Sequence, residues 1–336
     1  MIEQNVPLRP FNTFGISVSA KMLAHITDPE LLREVIMDPH LKKERKFVLG
    51  CGSNVLFTGD VDALVLKNEI GGMNLIAEDA DAYYVRSGAG VIWQDLVEYC
   101  ILNKYPGIEN LSLIPGNVGA APMQNIGAYG VELKDVFRSL EAMDLQTGEI
   151  QEFDAADCAF GYRESVFKKE LKDRSVITSV TLRLLKNAPL NTSYGAIEQE
   201  LERLGIGSPT IADVSRAVIN IRQRKLPDPT KLGNAGSFFK NPVVDRFKFD
   251  DLRSEFPQIP GYHSDEKVKL AAGWLIEQCG WKGRVVGNTG CHAYQALVLV
   301  NHGNASGAEI LELSERIARS VSDRFGVQLE REVNVY

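Results

Sequence analysis

The chain has 336 residues, 44% of them hydrophobic and 24% charged, with a net charge of −7 at neutral pH. That length supplies a large core and fits about two domains. No basic run marks a nucleic-acid partner, and no apolar stretch reaches the roughly 20 residues that span a membrane.

In chain order, Lys46 to Leu49 reads as a short buried strand running into Gly50, followed by Val55-Leu56-Phe57. Ala63 to Leu66 and Tyr83 to Arg86 are further short strands, rich in β-branched or aromatic residues and bounded by turns. Trp93, Leu96, Val97, Cys100 and Ile101 fall at helical spacing, and the helix should stop near Pro106-Gly107. Leu140 to Leu145 and Ile150 to Phe153 form a hairpin over Gln146-Thr147-Gly148, and Ser175 to Leu185 is a long strand. Asn187-Ala188-Pro189 marks a boundary, which gives a first domain of residues 1–190 and a second of 191–336. Ile197, Leu201 and Leu204 line one short helix. Thr210 with Asp213 caps another, which ends at Leu226-Pro227. Val268, Ala271, Ala272, Leu275 and Cys279 have the spacing of a further helix, with Gly280 as its C-cap. Ala296 to Val300 is an apolar strand. Ser306 and Glu309 form a capping box that opens a helix through Phe325, and Val327 to Tyr336 alternates like a strand. The whole is α+β in class.

Five cysteines (Cys51, Cys100, Cys158, Cys279, Cys291) contain no Cys-x-x-Cys pair, as expected of free thiols in a reducing compartment. The five histidines have no ligand spacing, so no metal is expected. Met1 to Pro7 lacks the basic and apolar regions of a secretory signal, which points to the cytoplasm.

The most unusual stretch runs from Ile114 to Gly130. It is rich in glycine, alanine and proline and carries no charge. Small residues let the backbone approach a ligand, and the N–H groups of such a loop can cradle an anion. A second loop of the same kind is Gly50-Cys51-Gly52-Ser53-Asn54. Together they suggest a nucleotide or dinucleotide without saying which. The dinucleotide fingerprint fails, because Val55 stands where a third glycine is required, and no Gly-x-x-x-x-Gly-Lys-Ser/Thr loop exists. Three polar clusters remain. Arg163 between aromatics suits a carboxylate or phosphate, or a structural ion pair. Ser237, beside Gly236 and two phenylalanines, is a positioned proton donor or a turn residue. Glu332 near the C-terminus is a site carboxylate or solvated surface.

These stretches, with Asn12-Thr13-Phe14-Gly15, Gly161 to Ser165, Gly233 to Pro242, Gln295 to Asn301 and Leu329 to Val333, closely resemble the UDP-N-acetylenolpyruvoylglucosamine reductase family over nearly the whole chain. The resemblance implies a vanillyl-alcohol-oxidase (PCMH-type) FAD-binding domain, its core at about residues 17–187, and a C-terminal α+β substrate-binding domain. It implies FAD held non-covalently by Gly50, Cys51, Gly52, Ser53, Asn54, Pro115, Gly116, Gly119, Ala120, Gln124, Asn125 and Gly127. It implies that NADPH reduces the flavin, which then reduces the enolpyruvyl ether of a UDP-sugar to a lactyl ether in peptidoglycan synthesis. By the same resemblance, Arg163 and a protonated Glu332 are expected to flank the substrate carboxylate, and Ser237 to deliver the final proton. Tyr129, Tyr194, Lys225, Asn241 and Gln295 are implied substrate contacts, with Tyr194 the tyrosine of the family's longer subtype that closes over the uridine phosphate. A monomer is expected. Two departures stand out: only four residues follow Glu332, and Tyr294 replaces an expected long polar residue. The competing readings are an oxygen-using flavin oxidase, for which Cys51 is the only candidate tether, a non-catalytic UDP-sugar-binding regulator, and a nicotinamide-dependent epimerase.

Overall fold

The computed structural model describes residues 2–264 and 266–336. The chain forms two compact units and passes between them at Val6, Ser19, Cys51, Val61 and Arg224. The first comprises the N-terminal stretch to Val6, Ala20–Cys51 and Asp62–Arg224; the second comprises Pro7–Ser19, Gly52–Val61 and Lys225–Tyr336. The single boundary expected at residue 190 falls at none of these five crossings, since the helices Gly195–Arg203 and Ile211–Lys225 lie within or end at the edge of the first unit.

The first unit holds a four-stranded sheet in the order Ile2–Pro7, Ser19–Ile26, Val61–Asn68, Lys46–Leu49. Its last two strands run parallel, with Lys46 opposite Leu64 and Leu49 opposite Lys67. Val61–Asn68 is buried along nearly its whole length, which explains its continuous apolar run. Helix Pro29–Met37 starts where the Asp28 side chain accepts the Leu31 N–H, and it buries Leu32 and Ile36 against Met22, Ala24, Leu64 and Leu66.

A five-stranded antiparallel sheet follows, in the order Ile150–Phe153, Phe137–Asp144, Ser175–Leu185, Ala82–Gly88, Met73–Glu78. Helix Trp93–Leu102 packs into the core that includes Val85, Leu140, Val180 and Leu182. Trp93, Leu96, Val97 and Cys100 are buried as their spacing requires, and the Trp93 indole donates to Leu111 O at 2.9 Å. The helices Gly195–Arg203 and Ile211–Lys225 share a small core of Ile197, Leu201, Val214, Ala217, Val218 and Ile221. Thr210 and Asp213 bond reciprocally at the start of the second, as the capping pattern requires.

The second unit is built on the sheet Gly233–Ser237, Val298–Asn301, Thr289–Cys291, Val285–Val286. Helix Gly307–Phe325 opens with the Ser306–Glu309 capping box and buries Ile310, Leu313, Ile317, Val321 and Phe325. Gly307 is obligatory there: a Cβ would lie 1.7 Å from Phe57 O. The Asn12-Thr13-Phe14-Gly15 stretch is a polar knot. The Asn12 amide bonds the backbone of Leu8 and Ile16, and Asn301 donates to Phe14 O at 2.8 Å.

One expected helix is shorter. Only Ala272–Gln278 is helical, while Lys267–Leu270 is the central strand of a three-stranded sheet with Val243–Asp245 and Gly261–Ser264. Val268 and Leu270 are buried on alternate positions, so the strand period of Lys267–Leu270 overrides a helical spacing that Val268 met by coincidence. The C-terminal stretch is also less regular than expected, since only Asn334–Val335 is a ladder strand, parallel to Val55–Leu56.

Candidate active site

In the first unit, strand Lys46–Leu49 delivers Gly50 and Cys51, and the loop 114–130 lies against the start of helix Trp93–Leu102. Three backbone bonds stitch that loop down: Trp93 N–H to Gly116 O at 2.9 Å, Val118 N–H to Val91 O at 2.8 Å and Gly119 N–H to Ala89 O at 2.8 Å. Short 3-10 turns at Val118–Ala120 and Pro122–Gln124 break the loop, with Pro115 and Ala120 exposed and Gly119, Gln124 and Gly127 half-buried. Among the described residues, the N–H groups of Gly116 and Asn117 donate to no protein acceptor. No acidic side chain occurs between residues 114 and 130. Backbone amides left unbonded, in a stretch that carries no acidic side chain of its own, suit the pyrophosphate of a dinucleotide such as FAD.

Asn125 behaves differently from its neighbours. It is fully buried in the left-handed region (φ 43°), and its amide bonds Glu132, Gly161 O and the Lys134 N–H. Its side chain therefore ties the loop to the segment that carries Arg163. That segment is a tight reversal, with Gly161 N–H to Glu164 O at 3.0 Å, locked by Ser165 Oγ donating to Met123 O at 2.7 Å. Arg163 itself has φ 56° and donates to Gly127 O at 2.8 Å and Asn125 O at 3.4 Å.

Sequence reasoning passed over Arg222. It lies on helix Ile211–Lys225 and donates to Leu113 O at 3.2 Å. Burial pulls its pKa down, its hydrogen bond to the Tyr129 hydroxyl works the other way, and the positive charge of Arg163 adds to the lowering. Burial likewise pushes the Tyr129 phenol up, opposed by Arg222. The Tyr129 ring meets Tyr194 edge-on, with centroids 5.4 Å apart. So Arg163, Arg222, Tyr129 and Tyr194 gather in the first unit. Two guanidiniums close enough to repel favour an anion beside them.

In the second unit Ser237 closes the strand Gly233–Ser237, opposite Val298. The next two residues, Phe238 and Phe239, are buried at 0% and 1% exposure and anchor it. The C-terminal stretch runs back along this segment. Glu332 N–H donates to Phe238 O and Lys240 N–H to Glu330 O, both at 2.8 Å, and Phe239 bridges Arg331. Glu332 thereby lies opposite Phe238, the residue that follows Ser237. Although only four residues follow it, they are held: Val333 is buried, and Tyr336 N–H donates to Leu56 O at 2.9 Å. Of the other segment, Asn54 donates to Glu332 O at 3.3 Å, Gly52 O accepts the Thr13 N–H, and Ser53 is half-buried.

Asn241 and Gln295 both lie at the start of helix Ala272–Gln278. The Asn241 amide oxygen accepts the Ala272 N–H at 3.0 Å, and Gln295 Oε1 lies beside Gly273. Lys225, at the end of its helix, is exposed, and Tyr294 is 72% exposed. The five cysteines are all free thiols. No helix among the described residues is long and apolar enough to cross a membrane.

Residues 20–154 match a family model described as an FAD binding domain, and residues 228–336 match the C-terminal domain of UDP-N-acetylenolpyruvoylglucosamine reductase. Among curated relatives, the UDP-N-acetylenolpyruvoylglucosamine reductase of Pseudomonas aeruginosa is 52% identical over 339 residues, covering 100% of this chain and 99% of that one. The protein of the same name from Flavobacterium johnsoniae is 50% identical over 336 residues, covering 99% of each. The crystal structure of UDP-N-acetylenolpyruvylglucosamine reductase from Thermus caldophilus shares the fold, with a TM-score of 0.68 at 24% identity over 100% of this chain and 99% of that one. The chain therefore belongs to the UDP-N-acetylenolpyruvoylglucosamine reductase family, as an oxidoreductase built from an FAD-binding domain and that family's C-terminal domain.

Proposed function

We infer that the protein reduces UDP-N-acetyl-3-O-(1-carboxyvinyl)glucosamine to UDP-N-acetylmuramate with NADPH, in the cytoplasm, as a step of peptidoglycan precursor synthesis. FAD, bound non-covalently, supplies the two-electron chemistry that links the nicotinamide to the vinyl ether. The difficulty left to the protein is the negative charge that appears beside the substrate carboxylate once a hydride reaches the vinyl terminus. A positioned donor or cation contributes about 2.7–4 kcal/mol to such a transition state. Arg163 takes that role, with Glu332 in its protonated form. Ser237 then gives its hydroxyl proton to the carbanion-like carbon, a transfer that runs downhill and so tolerates a weak acid. Tyr129 and Tyr194, stacked edge-on beside Arg222, close on the diphosphate end, and Lys225, Asn241 and Gln295 complete the polar contacts.

The observation that supports this reading most is the bonding of Glu330 and Glu332 to Lys240 and Phe238, which brings the segment that carries Glu332 alongside the residues that follow Ser237. The test is anaerobic. NADPH should bleach the flavin of the purified protein, and the enolpyruvyl UDP-sugar should restore the yellow colour. A flavin that oxygen reoxidises readily but the UDP-sugar does not would point to an oxidase instead. Acid precipitation should release the colour into the supernatant, whereas a yellow pellet would contradict non-covalent binding.

A further inference from the structure

We propose that Asn117 is the positioning residue of the dinucleotide cradle, the side chain that sets its loops to a common geometry; the proposal rests on the flavin-binding reading above. Asn117 is 5% exposed, and its amide is used at both ends. Its Oδ1 accepts the Cys51 N–H at 2.5 Å, and its Nδ2 donates to Gly90 O at 2.6 Å. One planar group thus joins the loop after Lys46–Leu49, the turn before helix Trp93–Leu102, and the 114–130 loop of which it is part.

The fit is close on both sides. A Cβ at position 50 would lie 2.6 Å from Asn117 Oδ1, so glycine there lets the amide in. Asn117 also bridges Ile92 through the backbone, and its carbonyl accepts the Ala120 N–H at 3.0 Å. The backbone bonds that stitch residues 116–119 to residues 89–93 do not reach Cys51; the Asn117 side chain does. The N–H groups of Gly116 and Asn117 are the unbonded amides described above, so the same residue offers a backbone donor to the cradle and sets the spacing to the neighbouring loop. Only an amide serves here. A carboxylate would turn an acceptor toward Gly90 O and add negative charge beside a site for a dianion, a hydroxyl would be too short to reach both partners, and an alanine would reach neither.

The experiment is a flavin titration of apoprotein, followed by flavin fluorescence, with FAD and with riboflavin, which lacks the pyrophosphate. The wild type should bind FAD, and Asn117→Ala should bind it at least 10-fold more weakly, with Asn117→Asp weaker still. Riboflavin affinity should stay within about 2-fold throughout. An Asn117→Ala variant that binds FAD within 2-fold of wild type, or that loses FAD and riboflavin alike, would overturn the proposal. A wild-type protein that binds no FAD would instead defeat the flavin-binding reading itself. Hydrogen exchange of the wild type covers the case in which the variants fail to fold. On FAD addition the amides of residues 50 and 51 and of 116–118 should gain protection together, and protection of one loop without the other would refute the coupling.

Discussion

Replacing Glu200 by alanine should loosen the helical pair that carries Tyr194 and Arg222. Glu200 lies on helix Gly195–Arg203, with its side chain 2% exposed. It accepts two bonds from Arg203 at 2.7 and 2.9 Å, one from Arg224 at 2.5 Å and one from Asn220 at 2.9 Å. Hydrogen bonds to charged groups contribute about 1.5–3 kcal/mol each. Arg203 and Arg224 keep 59% and 52% of their side-chain exposure, so water recovers much of that once the carboxylate is gone. A net loss of about 2 kcal/mol remains, roughly 30-fold in the opening equilibrium of the pair. Amide hydrogen exchange reads this directly: residues 197–204 should exchange about 30-fold faster in the variant, while the five-stranded sheet is unchanged. Unaltered protection of residues 197–204 would refute the reasoning. The same carboxylate sets an acid limit. Bonds from Arg203 and Arg224 hold its folded pKa well below the ordinary 4.5. Its contribution is therefore complete above the unfolded value and is lost as pH falls from there toward the folded one. The wild-type helices should open more readily in that acid window, and the alanine variant should show a weaker acid dependence, with the Asp213 cap still contributing.

Gly307→Ala should destabilise the second unit by about 3 kcal/mol, because the new methyl meets Phe57 O, and an unchanged melting temperature would contradict the packing described. Burial pushes the thiols of Cys100, Cys158 and Cys291 up to about 12. A thiol reagent at pH 8 should thus modify only the half-buried Cys51 and Cys279 in the folded protein and all five cysteines in denaturant. Arg163→Ala should slow reoxidation by the UDP-sugar about 10²–10³-fold while the protein stays yellow; a colourless variant would make Arg163 a scaffold residue.

Much of the scaffold was legible because it rests on local chemistry. The spacing of Trp93, Leu96, Val97 and Cys100, the capping pair Thr210–Asp213 and the box Ser306–Glu309 each specify a helix from a few neighbouring residues. What could not be read depends on distant contacts. Ile2–Pro7 is a strand only because Ser19–Ile26 pairs with it, and the exposed Met73–Glu78 carries little apolar pattern of its own. The repeated crossing between units leaves no mark in composition, so a single boundary was the natural expectation. Arg222 was hidden in the polar run Arg222-Gln223-Arg224-Lys225, which resembles a solvated helix end. A finer signal existed: Arg222 lies four residues after Val218 and seven after Ser215, both buried, and so belongs to the inner face of its helix. The bond between Cys51 and Asn117 joins residues 66 apart in sequence, which no local pattern announces.

The central claim is that Ser237 gives the proton that completes the reduction, a role worth about 10²–10⁴-fold for a positioned acid. The direct measurement is anaerobic stopped-flow absorbance on the flavin of Ser237→Ala. Reduction by NADPH should proceed at the wild-type rate, and reoxidation by the enolpyruvyl UDP-sugar should be slower by at least 10²-fold. Equal slowing of both half-reactions, or reoxidation at the wild-type rate, would contradict it.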